Sequence, residues 1–133
     1  MMIGKGSGAR ILLAEDDRAV RDFVRRALEM DGHDITVVHD GGEALEHVMS
    51  PLKSYDLLLA DICIPVIDGI ALALRLARDR PELPILLMTG YAQQRERAGD
   101  LRTVIEGVVQ KPFTLEQIRE RVKAVLAVAA DAA

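Results

Sequence analysis

The sequence predicts an α/β fold, a doubly wound parallel sheet made from a strand–helix unit used five times. Three observations predict it. Short, almost wholly apolar runs recur along the chain, and amphipathic stretches separate them. Strands apolar on both faces belong to parallel sheets covered by helices on each side. Four of the runs end abruptly in a polar group, as strands do where one edge of a sheet meets solvent. Hydrophobic residues make up 50% of the 133, enough for one buried core, and at 3% aromatic that core must be aliphatic.

Met1–Ala9, with one Lys and four Gly or Ser, reads as a loose leader. Arg10 to Ala14 is the first strand, and Glu15-Asp16-Asp17 follows it. Val20, Phe23, Val24, Ala27 and Leu28 then form an i, i+3, i+4, i+7, i+8 stripe, an amphipathic helix. Asp17 is its expected N-cap, and Asp31-Gly32 its end. Ile35 to Val38 is the second strand. Asp40-Gly41-Gly42 reads as a turn before a short helix, Glu43 to Met49, stopped by Ser50-Pro51. The third strand runs from Asp56 to Asp61, and a loop from Ile62 closes with Asp68-Gly69. A helix from Ile70 to Arg78 stops near Pro81. Pro84 to Thr89 is the fourth strand, and the polar stretch Tyr91 to Asp100 the fourth helix. Gly107 to Lys111 is the fifth strand, halted by Pro112. The last helix carries Leu115, Ile118, Val122, Val125 and Leu126 and is capped by Thr114. Right-handed crossovers leave few topologies for this order.

Composition removes several classes of function. The net charge of −4 disfavours nonspecific DNA binding, and the scarcity of aromatics disfavours a stacking platform for single strands. One cysteine, Cys63, excludes an internal disulfide and a multi-Cys zinc site. No apolar run approaches the ~20 residues of a membrane helix, and the leader has no signal-peptide core. A cytoplasmic protein binding neither nucleic acid nor membrane is the expectation. His33, His39 and His47 lack metal-ligand spacing and are expected at the surface.

In an open parallel sheet, ligands bind beyond the carboxyl ends of the strands. There the chain places Glu15 and Asp16 after strand one, Asp61 at the end of strand three, Thr89 at strand four and Lys111 at strand five. Three clustered carboxylates repel unless a cation lies among them. A hard divalent ion with oxygen ligands fits, Mg²⁺ above all, since it takes one or two carboxylates, waters and a phosphate oxygen. Asp61 is then a carboxylate nucleophile toward a phosphoryl donor. Lys111 and Thr89 supply a cation and a hydroxyl for the phosphoryl oxygens.

Glu15-Asp16, Asp61, Asp68-Gly69, Thr89-Gly90 and Lys111-Pro112-Phe113, in this order and spacing, resemble CheY-like receiver domains of two-component signalling. The resemblance spans Arg10 to about Ala127. It implies a flavodoxin-like strand order of 2-1-3-4-5 and a receiver domain over residues 10–128, with 1–9 as leader and 129–133 as C-terminal tail. It implies that Asp61 accepts the phosphoryl group from a histidine kinase or histidine phosphotransfer protein. Glu15, Asp16, Asp61 and the backbone carbonyl of Cys63 would make the Mg²⁺ site. Lys111 would contact the phosphoryl group, and Thr89 would be the switch hydroxyl. Such a protein catalyses only its own phosphorylation and dephosphorylation and is a monomer or weak dimer. The family also implies a cis bond at Lys111-Pro112.

Two positions depart from the family. Val108 stands where an aromatic switch residue is usual, and Tyr91 is expected to take part of that role; as the residue two beyond the switch hydroxyl, Tyr91 is also expected to shield the acyl phosphate from water. The arginines Arg18, Arg21, Arg25 and Arg26 alternate with Asp22 and Glu29, which reads as a self-paired solvated face or as a docking face for the kinase. A phosphatase of the haloacid dehalogenase type would want an acid where Cys63 stands. A flavin site would want a phosphate loop where Glu15-Asp16-Asp17 stands. The expected output is a stand-alone phospho-switch read by a protein on the face of the fourth helix, fifth strand and fifth helix. A phosphate shuttle or sink is the alternative. The opening Arg10–Asp17 and the Ala-rich end also resemble receivers of the CpdR type, adaptors of the ClpXP protease, and Ala127–Ala133 resembles a degradation tag.

Overall fold

The computed structural model describes residues 8–99, 101 and 103–132, without the side chains of 92–95 and 132. The first seven residues of the expected leader, Asp100 at the end of the expected fourth helix, and Ala133 in the expected degradation tag lie outside the described residues.

Strands and helices alternate as β1 (Arg10–Ala14), α1 (Arg18–Glu29), β2 (Asp34–Val38), α2 (Gly41–Met49), β3 (Leu57–Asp61), α3 (Gly69–Asp79), β4 (Ile85–Thr89), α4 (Ala92–Gly99), β5 (Gly107–Gln110) and α5 (Leu115–Ala132). The five strands form one parallel sheet in the order β2-β1-β3-β4-β5. The architecture is the expected one.

The apolar runs divide by strand alternation, since successive side chains point to opposite faces. Leu12, Leu58, Ile85 and Leu87 join Ala44, Val48, Leu72, Leu76 and Ala98, so α2, α3 and α4 cover one face. Ile11, Leu13, Leu57, Leu59, Leu86 and Met88 join Val24, Leu28, Ile118 and Val122, so α1 and α5 cover the other. Every residue of β3 and β4 is buried. The polar residues that close those two strands, Asp61 and Thr89, are therefore buried as well.

Side chains start most of the helices. The Asp17 carboxylate accepts from the N–H groups of Ala19 and Val20, and Asp68 accepts from that of Ala71. At α5, Thr114 Oγ1 accepts from the N–H of Gln117 while Gln117 Oε1 accepts from that of Thr114, a reciprocal box.

At α2 the chain differs from the reading as a turn, for Gly41 and Gly42 lie inside the helix. Asp40 caps it through the N–H of Glu43, and the N–H of Gly41 donates to the carbonyl of Pro65 at 3.0 Å. A Cβ on Gly41 would sit 1.9 Å from the carbonyl oxygen of Ile67. Close packing against the 62–68 loop, not helix propensity, decides this residue.

Two smaller differences stand at other positions. The described part of the expected tail, 129–132, continues α5. His33 is half-buried, where a surface residue was expected: its Nδ1 accepts from the N–H of Ala9 at 3.0 Å, and burial pulls its pKa down.

Candidate functional site

The strand order reverses between β1 and β3, because the connections on either side of that gap run in opposite directions. This is the place where a doubly wound sheet opens a crevice at its carboxyl edge. Glu15 and Asp16 follow β1 on one side of it, and Asp61 ends β3 on the other. Carboxylate oxygens of Glu15, Asp16 and Asp61 all lie within 4.8 Å of one another.

Lys111, just after β5, reaches into the same place. Its ammonium donates to Glu15 Oε1 and to Asp61 Oδ2, each at 2.9 Å. Glu15 is wholly buried and Asp61 nearly so. One cation thus serves two buried carboxylates, with a third, exposed one beside them. Burial pushes the Glu15 carboxyl up to about 7; the Lys111 hydrogen bond opposes the rise and the Asp61 charge adds to it. For Lys111, burial favours the neutral amine, but the bonds to Asp61 and Glu15 outweigh it and the ammonium is held above its usual range.

The remaining oxygens of Glu15 and Asp61 are fixed by backbone donors. The N–H of Asp17 donates to Glu15 Oε2 at 3.1 Å, and that of Cys63 to Asp61 Oδ1 at 3.3 Å. Thr89 is fully buried at the end of β4. Its hydroxyl accepts from the N–H of Tyr91 at 3.1 Å and donates to the Tyr91 carbonyl at 3.2 Å. Its own carbonyl accepts from the N–H of Lys111 at 2.7 Å, which ties strand four to the lysine. The Lys111-Pro112 bond is cis, as expected. Tyr91 and Cys63 are exposed.

The structure therefore joins Glu15, Asp61 and Lys111 by direct contact, places Asp16 within 4.8 Å of the two acids and sets Thr89 on the strand between β3 and β5. The donor set suits a hard cation, for it is all oxygen and carries more negative than positive charge. Asp17 is a helix cap.

Two features escaped the sequence reading. Arg21 donates from Nη1 to the backbone carbonyls of Glu15 at 3.1 Å and Asp16 at 3.4 Å. In sequence it is one arginine among four on a charged helix. Val66, in the 62–68 loop, has a φ of 73°, the left-handed region that a β-branched residue rarely adopts.

Residues 11–123 match the family model of the response regulator receiver domain. The response regulator MprA of Mycobacterium ulcerans is 38% identical over 117 residues, which are 88% of this chain and 50% of that protein. The chain spans about half the length of the curated relatives it matches. A CheY-like response regulator receiver domain protein from Methanospirillum hungatei superposes with a TM-score of 0.85 at 26% identity, covering 96% of this chain and 100% of that one. The response regulator TrrA of Thermotoga maritima, solved in complex with Mg²⁺-BeF, gives a TM-score of 0.79 at 28% identity over 88% of this chain and 98% of that one.

Proposed function

The chain belongs to the response regulator receiver family, and from that premise we propose that it takes a phosphoryl group on Asp61 and signals through altered protein–protein contacts. The donor is a histidine kinase or a histidine phosphotransfer protein, and residues 10–128 act as one receiver unit. The observation that carries this reading is the ammonium of Lys111, 2.9 Å from both Glu15 and Asp61 beside the carboxylate of Asp16.

An Asp61 carboxylate oxygen attacks the phosphorus of the donor phosphohistidine. The O–P bond forms, the P–N bond breaks, and the imidazole leaves with the bonding pair and takes up a proton. Lys111 exchanges a carboxylate partner for a phosphoryl oxygen, so its charge stays where negative charge builds up. The Thr89 hydroxyl leaves the Tyr91 carbonyl and donates to another phosphoryl oxygen. Tyr91, exposed beside it, covers the acyl phosphate against water. Glu15, Asp16, Asp61 and the Cys63 carbonyl would hold Mg²⁺, which when bound would neutralise charge on the phosphoryl oxygens.

The test is the intact mass after incubation with acetyl phosphate, with and without Mg²⁺, for the wild type and Asp61→Asn. One added phosphoryl group is expected for the wild type with Mg²⁺ and none for the variant. An adduct on Asp61→Asn, or no adduct on the wild type from acetyl phosphate or a panel of kinases, overturns the assignment.

A further inference from the structure

We infer that Arg21 is a positioning residue for the acidic pair, clamping the turn that aims Glu15 and Asp16 into the site; this rests on the Mg²⁺-dependent reading above. The arginines of α1 are not equivalent. Arg18 lies 4.0 Å from Asp22, and Arg25 lies 3.6 Å from Asp22 and 3.5 Å from Glu29, all along the solvated side of the helix. Among the described residues Arg21 has no carboxylate within ion-pair distance. Its guanidinium turns back instead, one full turn of helix, onto the carbonyls of Glu15 and Asp16.

Those two residues are the whole span between the end of β1 and the cap Asp17. The turn is held at three further points: the N–H of Glu15 donates to the Val38 carbonyl, the N–H of Asp17 donates to Glu15 Oε2, and the Asp17 carboxylate caps the helix. Two further groups of the turn are its carbonyls, and Nη1 of Arg21 takes both. Holding both carbonyls stops the peptide between them from rotating, and that rotation is what would swing Asp16, the exposed carboxylate, away from Asp61.

Two effects of Arg21 on a bound cation oppose each other. Its positive charge repels Mg²⁺, and its clamp spares the ion the work of ordering the turn. The repulsion runs across a partly exposed gap and is screened over about 10 Å at ordinary ionic strength. Loss of an outer partner that orients metal ligands costs about 10- to 100-fold in affinity. Positioning therefore dominates, and removing the arginine weakens binding of a cation although it removes a competing positive charge.

The experiment is a Mg²⁺ titration by calorimetry on the full chain, for wild type, Arg21→Gln, Arg21→Lys and Arg25→Gln. Arg25→Gln removes the same charge from the same helix without touching the turn. Arg21→Gln is expected to raise the Mg²⁺ Kd about tenfold. Arg21→Lys recovers part of the loss, and Arg25→Gln leaves the Kd unchanged. Acetyl phosphate labelling of Arg21→Gln returns to the wild-type rate at saturating Mg²⁺, which a general loosening of the fold would not allow. Thermal unfolding without Mg²⁺ identifies any variant that fails to fold, and Arg21→Lys then carries the comparison. Equal Kd values for Arg21→Gln and Arg25→Gln overturn the inference. Wild type that binds no Mg²⁺ overturns the reading beneath it, and that outcome is distinct because it appears before any variant is compared.

Discussion

With its side chain wholly buried and Asp61 beside it, Glu15 keeps its proton to about pH 7, while in the unfolded chain it loses it near 4.5. Between those values the folded protein binds more protons than the unfolded one. Stability of the metal-free protein therefore falls as pH rises through that window, by on the order of 3 kcal/mol. Glu15→Gln cannot ionise, and its amide oxygen can still accept from Lys111. Urea unfolding in a chelator should show the variant gaining on wild type from pH 4.5 to 7 and holding that gain above it; parallel profiles would remove the electrostatic account. The placement of the site's polar residues was legible in the sequence because a fully buried parallel strand leaves polar residues room only at its ends. Glu15, Asp61 and Thr89 could be read from that rule, and Lys111 from its place at the end of the last apolar run. Which of them touch was not legible, since Lys111 meets Glu15 across 96 positions of chain. Arg21 was hidden for another reason: it stands among Arg18, Arg25 and Arg26 on a helix whose alternating charges read as an ordinary solvated face.

Elements meet at this site through their ends, and the join between α2 and the 62–68 loop shows how sequence rules are overridden there. Glycine is a poor helix former, which is why Asp40-Gly41-Gly42 reads as a turn. The helix begins at Gly41 because the loop's backbone passes too close for any side chain, with Ile67 O 1.9 Å from where a Cβ would stand. The same loop continues from the Asp61 strand end and carries Cys63. Gly41→Ala should therefore cost about 1–3 kcal/mol as an overpacked contact, despite the better helix propensity of alanine. Denaturant midpoints measure the cost, and a stabilised variant would show that the contact yields freely. Where caps are local the elements could be read directly: Asp17 and Thr114 do at α1 and α5 what their positions predict. Contacts between distant elements could not. The bidentate pair of Arg119 with Asp31, at 2.6 and 3.1 Å, joins the end of α1 to α5 across 88 positions and has no local signature.

Across the whole molecule, the reversal of strand order brings acids from β1 and β3 together, while Lys111 crosses from β5 past the end of β4 to neutralise part of their charge. Three of the five strands thus end in one excess of negative charge, and no other cluster of three metal-ligating side chains occurs among the described residues. A cation bound there ties β1 to β3 at the centre of the sheet, and those strands separate only when the protein unfolds as a unit. Its binding free energy should then appear as global stability, with about 2.7 kcal/mol gained at a hundredfold excess over Kd. For a domain of this size that corresponds to a rise in Tm of roughly 10 °C. The rise should saturate with MgCl₂, be absent with NaCl at matched ionic strength, and be lost in Asp16→Asn. It should also be larger at pH 8 than at pH 6, because Glu15 must give up its proton before it can serve a cation. Equal melting temperatures in the two salts would mean that the acids act only through general screening, and the sheet would then owe none of its stability to an ion.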